Sequence, residues 1–444
     1  INYAAELING NFAKAIFIKI ITSKSEGMVI AMGKNMLIGQ SGGPTAAINA
    51  TLSGVILEGI RHSEIDGIFG AINGIQGILN KRIIELQSQI KTDEQFKMLE
   101  CTPAMALGSC RYKLPAFDEN PDLYEDILNT FHEYGIGFFF YIGGNDSMDT
   151  VRKLSDFFQS KGEDIKCIGV PKTIDNDLYN TDHTPGYGSA AKFIATTMTE
   201  IARDCRVYPV KSVTIVEIMG RNAGWLTASS AIAKTLGFTA PHLIYLPEVT
   251  FDLDKFLADV KEMQQKHRTV IVAVSEGIKF ANGKYVSETE STGQVDAFGH
   301  KYLAGAGKYL ERFIASKLGC KVRSIELNIL QRCAAHMLSA TDIAEARRIG
   351  QFAVRYALAG QTGVMVAVKR VSDVPYIADI VTVPLEQVAN VEKKFPLEWI
   401  TPDQRGIEER FFRYVLPLIS GEVIYPTENG IPKYFDFEKT FLGI

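Results

Sequence analysis

No C-x-x-C pair occurs among the six cysteines of this 444-residue chain; Cys101, Cys110, Cys167, Cys205, Cys320 and Cys333 are scattered. So few thiols for the length, without paired spacing, point to reduced side chains in a cytoplasmic protein. The seven histidines show no H-E-x-x-H or similar ligand spacing, which argues against a zinc enzyme. Positive charge is not in excess either. A net charge of −4 leaves no nucleic-acid footprint, so any anionic ligand must be held by a few local cations. An apolar patch near the start, broken by Lys14 and Lys19, runs for about ten residues and is too short to span a bilayer. That stretch also lacks the charged, apolar and small-residue order of a signal peptide. Residues 1–31 are therefore expected to be a non-native or non-essential leader ahead of a start near Met32. No repeat at solenoid periods, low-complexity tract or Pro/Ser-rich linker interrupts the rest.

What is present is enough apolar side chain, 46% of residues, for a large core without disulfides or structural metals, and a length that suits two α/β lobes. Six short apolar runs each end in a polar, mostly glycine-bearing turn: 36–39, 135–142, 165–170, 212–219, 242–248 and 269–277. Runs that are apolar throughout, without alternation, are what a parallel strand covered by helices on both faces requires. Helical spacing lies between them, as in "TAAINATLSGVILEGI" and "VRKLSDFFQSKG". This order predicts doubly wound α/β architecture, in which ligands sit outside the carboxyl ends of the strands.

The polar turns fall at those ends. In "GQSGGPTAAINA" Ser41, Gly42 and Gly43 join a strand to a helix, where glycines admit a ligand and free amides attract an anion; a plain tight turn is the alternative. "GGNDSMDT" repeats the arrangement with Gly144, Asn145, Asp146 and Ser147, the last of which is equally suited to cap the following helix. Neither G-x-x-x-x-G-K-[ST] nor a G-x-G-x-x-G after a strand occurs, which leaves a phosphate cradle of another type. "PKTIDND" places Lys172, Thr173, Asp175 and Asp177 within one loop: a cation, a hydroxyl, a general base and a second acid. Met219, Gly220 and Arg221 end another strand, where an arginine can fork onto phosphate, and Glu276 ends a further one, suited to a sugar hydroxyl. Arg111 and Lys113 in "GSCRYKL", and Arg323 and Arg332 in "KVRSIELNILQR", are candidate anion contacts that singly read as surface residues.

Taken in order, Ser-Gly-Gly, Gly-Ser-x-Arg, Gly-Gly-x-Asp-Ser, P-K-T-I-D-N-D, Met-Gly-Arg, Glu-Gly and an Arg with Gln-Arg nine residues on resemble the phosphofructokinases, from about Met36 to Gly363. The region after about Pro375 carries little of this likeness. The resemblance implies two doubly wound, Rossmann-like three-layer lobes with the active site in the cleft between them. Residues 32–185 plus about 332–375 form the donor lobe, and about 186–331 plus 376–444 the fructose 6-phosphate lobe. It implies phosphoryl transfer to the 1-hydroxyl of fructose 6-phosphate. Asp175 then matches the base, Thr173 and Ile174 line the same site, and Asp177 supports metal and arginine positions. Met219, Gly220, Arg221 and Glu276 match the sugar pocket, and Arg332 an arginine on the sugar's 6-phosphate. Arg323 matches one that reaches across a subunit interface, which implies a homodimer or homotetramer with a cross-subunit site. Gly43, Gly144, Ser147, Arg111 and Lys113 fall at donor contacts.

Two positions bear on the donor. Asp146 stands where nucleotide-dependent members have glycine, and there it crowds and repels an α-phosphate. Lys172 stands in place of another glycine and can reach the transferred group. This pairing resembles the pyrophosphate-dependent branch, with Mg²⁺ held by Asn145 and Asp146. The chain departs from the family at three points. Asn145 replaces a metal-binding aspartate, Ile329 a sugar-phosphate contact, and Ser212, with Lys211 adjacent as a substitute, a second cross-subunit arginine. The alternatives are an ATP-dependent 6-phosphofructokinase and a non-catalytic sugar-phosphate-binding paralogue.

Overall fold

The computed structural model of the chain describes residues 34–289 and 305–442; the expected leader, 1–31, lies outside the described residues. Eleven strands build two sheets: β1 Lys34–Gln40, β2 Ile65–Ala71, β3 Ile83–Glu85, β4 Ile136–Gly143, β5 Lys166–Pro171, β6 Ser212–Ile218, β7 Leu243–Tyr245, β8 Thr269–Ser275, β9 Lys321–Glu326, β10 Val364–Asp373 and β11 Tyr376–Pro384. The larger sheet runs β11-β10-β5-β4-β1-β2-β3, and the smaller runs β7-β8-β6-β9. Each of the six apolar runs contains a strand, and those that are neighbours pair in parallel. Within these two sheets the edge strands β3 and β11 are antiparallel to their neighbours, and a separate pair of two-residue strands, Thr427–Glu428 and Ile431–Pro432, is antiparallel as well.

The pleat explains why continuous apolar runs are needed. In β4, Phe138, Phe140 and Ile142 enter one core, whereas Phe139 and Tyr141 enter the core on the opposite face. Adjacent side chains leave a strand on opposite sides, so a sheet covered twice must be apolar at every position. The smaller sheet repeats this in β6, where Val213 and Ile215 face one core and Val216 and Ile218 the other. Each fully buried phenylalanine contributes about 2–3 kcal/mol through area removed from water. On one face of the larger sheet, helix Ile48–Gly59 lies against helix Ala340–Leu358. A Cβ at Gly54 would lie 2.0 Å from the Arg347 carbonyl oxygen, and one at Gly350 would lie 2.2 Å from that of Thr51. Glycine on both helices is what permits this approach.

The chain beyond residue 375 does not follow the boundaries expected above. β11 pairs antiparallel with β10 and extends the larger sheet, because a short turn returns the chain alongside itself. Phe435 and Phe437 also pack in a core of the larger sheet. Phe395, Phe411 and Tyr414 instead join Trp225 in the core of the smaller one. The segment 376–444, expected whole in the sugar lobe, is divided by this path between the two sheets. No described helix is long and apolar enough to cross a membrane.

Candidate active site

From β1 the chain moves one way to β2 and β3, then returns to place β4 on the other flank of β1. The loops after β1 and β4 therefore face each other at a topological switch point, the usual crevice of an open parallel sheet. They are tied together by Ser41 Oγ and Ser147 Oγ, 2.9 Å apart. Ser147, expected among the donor contacts, is 1% exposed, and this bond joins it to the Ser41 loop. Gly144 is the N-cap of helix Asn145–Ser160 and supplies no side-chain cap. A helix N-terminus facing a crevice is a position that favours an anion.

Lys172 follows β5, and its Nζ donates to the Gly43 carbonyl at 2.6 Å, spanning from one loop to the other. Burial lowers the ammonium to about 8, against the upward pull of Asp175 and Asp177, while Arg332 and Arg111 add to the lowering. The turn after it is organised by Thr173, whose Oγ1 accepts from the Asp175 amide at 3.1 Å and whose hydroxyl bonds the Asp177 carboxylate. Asn176 between the two acids has φ 55°, a left-handed conformation that asparagine tolerates better than most residues. Burial, and then the charge of Asp177, hold the Asp175 carboxyl well above the usual range, with Arg221, Lys172 and Arg332 opposing. A carboxylate so raised is better matched to accepting a proton near neutral pH.

The smaller sheet supplies the opposite wall. Gly220 has φ 133°, and a Cβ there would lie 2.6 Å from the Ala223 carbonyl oxygen, so the Met-Gly-Arg turn needs its glycine. Ser275 Oγ donates to the Gly220 carbonyl at 2.6 Å, and the Gly220 amide donates to Glu276 Oε1 at 3.4 Å. Met219 N donates to Gln331 Oε1 at 3.3 Å. Glu276 is raised to about 8, first by burial and then by the charges of Asp175 and Glu217. Arg221 Nε is buried and has no hydrogen-bond partner, an unmet donor of the kind folded proteins seldom leave.

A family model described as Phosphofructokinase matches residues 35–357. The chain belongs to the phosphofructokinase family. A relative from Xanthomonas campestris pv. campestris (strain B100), named pyrophosphate–fructose 6-phosphate 1-phosphotransferase, is 43% identical over 403 residues, covering 90% of this chain and 95% of the relative. A second of the same name, from Halomonas elongata, is 41% identical over 402 residues with the same coverages. The crystal structure of a pyrophosphate-dependent phosphofructokinase from Nitrosospira multiformis superposes with a TM-score of 0.82 at 36% identity, covering 93% of this chain and 98% of that one.

Within this phosphofructokinase fold, Lys172, Asp175, Arg221, Glu276 and Arg332 act on one another's charge in one cleft, and Thr173 enters it through its bond to the Asp175 amide. Arg332, expected on the sugar's 6-phosphate, leans over the donor loop: a Cβ on Gly43 would lie 3.8 Å from its guanidinium. Arg111 is an electrostatic neighbour of Arg332 and Lys172 on an exposed turn, and Lys113 is exposed two residues later. Ile174 does not line the cleft with its side chain; it is 7% exposed and belongs to the core of the smaller sheet. Ile329 is exposed, as an apolar side chain with no phosphate to hold.

Lys211 and Arg323 stand elsewhere. Lys211 immediately precedes β6, and Arg323, two residues into β9, pairs in register with Thr214. Both lie at the amino end of the smaller sheet, opposite to the end that carries Met219, Gly220 and Arg221. Arg323 there faces Asp204, with 3.8 Å between guanidinium and carboxylate. One chain therefore does not bring these two cations into its own cleft. The segment 390–395, which bonds the loops after β4, β5 and β6, escapes the sequence because it carries no motif and makes several of these bonds through backbone groups.

Proposed function

We propose that the chain transfers a phosphoryl group from pyrophosphate to the 1-hydroxyl of fructose 6-phosphate, giving fructose 1,6-bisphosphate and phosphate. The observation that carries this reading is Lys172, a buried ammonium reaching from β5 to the Gly43 carbonyl beside Asp175. In the proposed reaction Asp175 takes the proton of the 1-hydroxyl as that oxygen attacks a phosphorus of pyrophosphate. The bond to the second phosphate breaks, and that phosphate leaves with the bridging oxygen. Lys172, Arg332 and Arg111 oppose the charge on the donor and on the group in transit, which is where most of the barrier in phosphoryl transfer is lowered. Arg221 and Glu276 orient the sugar phosphate, so the hydroxyl meets the donor in line. Because the bonds broken and formed are similar in energy, the reaction runs in either direction.

Mg²⁺ fits this site. Asn145 Oδ1 is buried without a hydrogen-bond partner, while Nδ2 donates to the Val391 carbonyl at 3.0 Å and fixes the amide's orientation. That oxygen and the neighbouring Asp146 carboxylate are hard donors of the kind Mg²⁺ takes along with phosphate oxygens and water. Among the described residues no cluster of three His, Cys, Asp or Glu forms a metal cage, which accords with a cation held partly by its substrate. When bound, Mg²⁺ neutralises charge on the pyrophosphate.

The reading includes an assembly of two or four copies. Lys211 and Arg323 would act in a partner's cleft, and the exposed apolar side chains Val207, Tyr208 and Val210 just before Lys211 are suited to such a contact. Cytoplasmic location accords with six free cysteines. Steady-state assays with each donor test the function. Turnover of fructose 6-phosphate with pyrophosphate and Mg²⁺, and little with ATP, is expected; the reverse preference overturns the donor assignment.

A further inference from the structure

Residues 390–395 lie beyond the family match, which ends at 357, yet the loops after β4, β5 and β6 are joined through them. Val391 accepts from Asn145 at the donor loop. The Lys393 amide donates to the Asp177 carbonyl at 2.7 Å, immediately behind the acids. Glu392 accepts from Asn222 Nδ2 at 2.7 Å and the Lys393 carbonyl from Trp225 Nε1 at 3.3 Å, both just after Met-Gly-Arg.

The Lys393 side chain is the centre of this tie. Its ammonium lies 4.9 Å from the centroid of the Trp225 ring and donates to Asp182 O at 2.8 Å, Thr181 O at 3.1 Å and Asn176 Oδ1 at 3.3 Å. Removing an ammonium from water costs several kcal/mol unless its donors are satisfied, and three oxygens with an aromatic face offset that cost here. All three acceptors belong to the seven residues that follow Asp175. Tyr414 holds the same turn from the other side, its hydroxyl accepting from Asn176 Nδ2 at 2.8 Å and donating to Asp182 O at 2.8 Å.

We infer that Lys393, assisted by Tyr414, is a positioning residue that fixes the turn 176–182 and thereby the aim of the Asp175 and Asp177 carboxylates. Lys393 touches no reacting atom in this account; it acts through Asn176. A left-handed asparagine between two carboxylates that repel each other is a conformation that surrounding bonds must hold. The inference rests on the phosphotransfer reading, and the unsubstituted protein separates the two. If it does not turn over pyrophosphate and fructose 6-phosphate, that reading fails, and amide hydrogen exchange still decides whether Lys393 holds the turn.

The test compares Lys393→Met, Lys393→Arg and Tyr414→Phe by steady-state kinetics and hydrogen exchange. Lys393→Met is expected to lower kcat by about tenfold or more while both KM values stay within about threefold, the signature of lost alignment without lost binding. Amides of 174–182 should exchange about tenfold faster, while those of β5 keep their protection. Lys393→Arg should regain part of kcat, and Tyr414→Phe should lose about threefold. Should Lys393→Met fail to fold, the exchange and kinetics of Tyr414→Phe carry the test. Unchanged kcat and exchange in the folded variants, or losses that spread equally to KM and to the exchange of β5 and β6, overturn the inference.

Discussion

The wall built by the larger sheet gathers the cations Lys172 and Arg111, with Arg332 leaning over Gly43, beside the acids Asp175 and Asp177, whereas the smaller sheet presents Glu276 beside Arg221. The difference matches two recognition problems. A small ion that is almost all charge is held by countercharge, and a sugar is read through hydroxyls, which a carboxyl group can both accept from and donate to. Asp175 lies between the walls. Its opposing cations are Arg221 from one side and Lys172 and Arg332 from the other, so its protonation responds to ligands on both.

The largest expected effect is at that meeting point. Asp175→Ser should lower kcat by about a hundred- to ten-thousand-fold, the usual range for removing a general base. Fructose 6-phosphate should still bind within about threefold of the native affinity, read by calorimetry. Turnover like that of the native protein removes Asp175 from its role and leaves the two walls without a common centre.

The donor wall can be challenged separately. Lys172→Met should reduce pyrophosphate turnover by about a hundredfold. The native enzyme should also show a basic limb in kcat/KM for pyrophosphate near pH 8. The sign follows from the lowered ammonium: below about 8 Lys172 is charged in the empty site, and above it the charge that attracts the donor is lost. Bound pyrophosphate favours the charged form, so the limb in kcat should lie at higher pH. Lys172→Arg should remove the limb from kcat/KM, and a limb unmoved by that substitution assigns it to another group.

These walls were legible in the sequence to different degrees, for physical reasons. β1, β4, β5, β6, β7 and β8 could be read because a strand covered on both faces must be apolar throughout, and their loops because glycines and acids cluster where ligands approach. β9 and the edge strand β11 carry exposed or mixed patterns and give no such signal. The lean of Arg332 toward Gly43 depends on how a four-residue helix, Leu330–Cys333, leaves the smaller sheet, and no local pattern encodes that path. Lys393 was illegible because two of its three acceptors are backbone carbonyls, which every sequence has.

A smaller effect is expected on the sugar wall. Glu276→Gln keeps the shape and one acceptor but cannot ionise; because the carboxyl is raised to about 8, the change should raise KM for fructose 6-phosphate by about tenfold above that pH, the scale of one charge-assisted hydrogen bond, and by less below it. KM for pyrophosphate should change by less than about twofold. Equal changes in both would mean that the two walls do not divide the substrates between them.

The smallest effect concerns the far end of the same sheet, where Lys211 and Arg323 are remote from their own Met-Gly-Arg turn. Arg323→Ala should raise KM for fructose 6-phosphate by a few-fold, as for loss of one partly exposed phosphate contact. Its meaning depends on which chain Arg323 serves, and mixing subunits decides that. Let one chain carry Asp175→Ser and the other Arg323→Ala. If each cleft takes Asp175 from one chain and Arg323 from its partner, the hybrid dimer has one doubly altered site and one native site. A turnover component with native KM then appears on mixing. If Arg323 serves its own chain, every hybrid site carries one defect, no native component appears, and the division between the near and far ends of the smaller sheet loses its functional meaning.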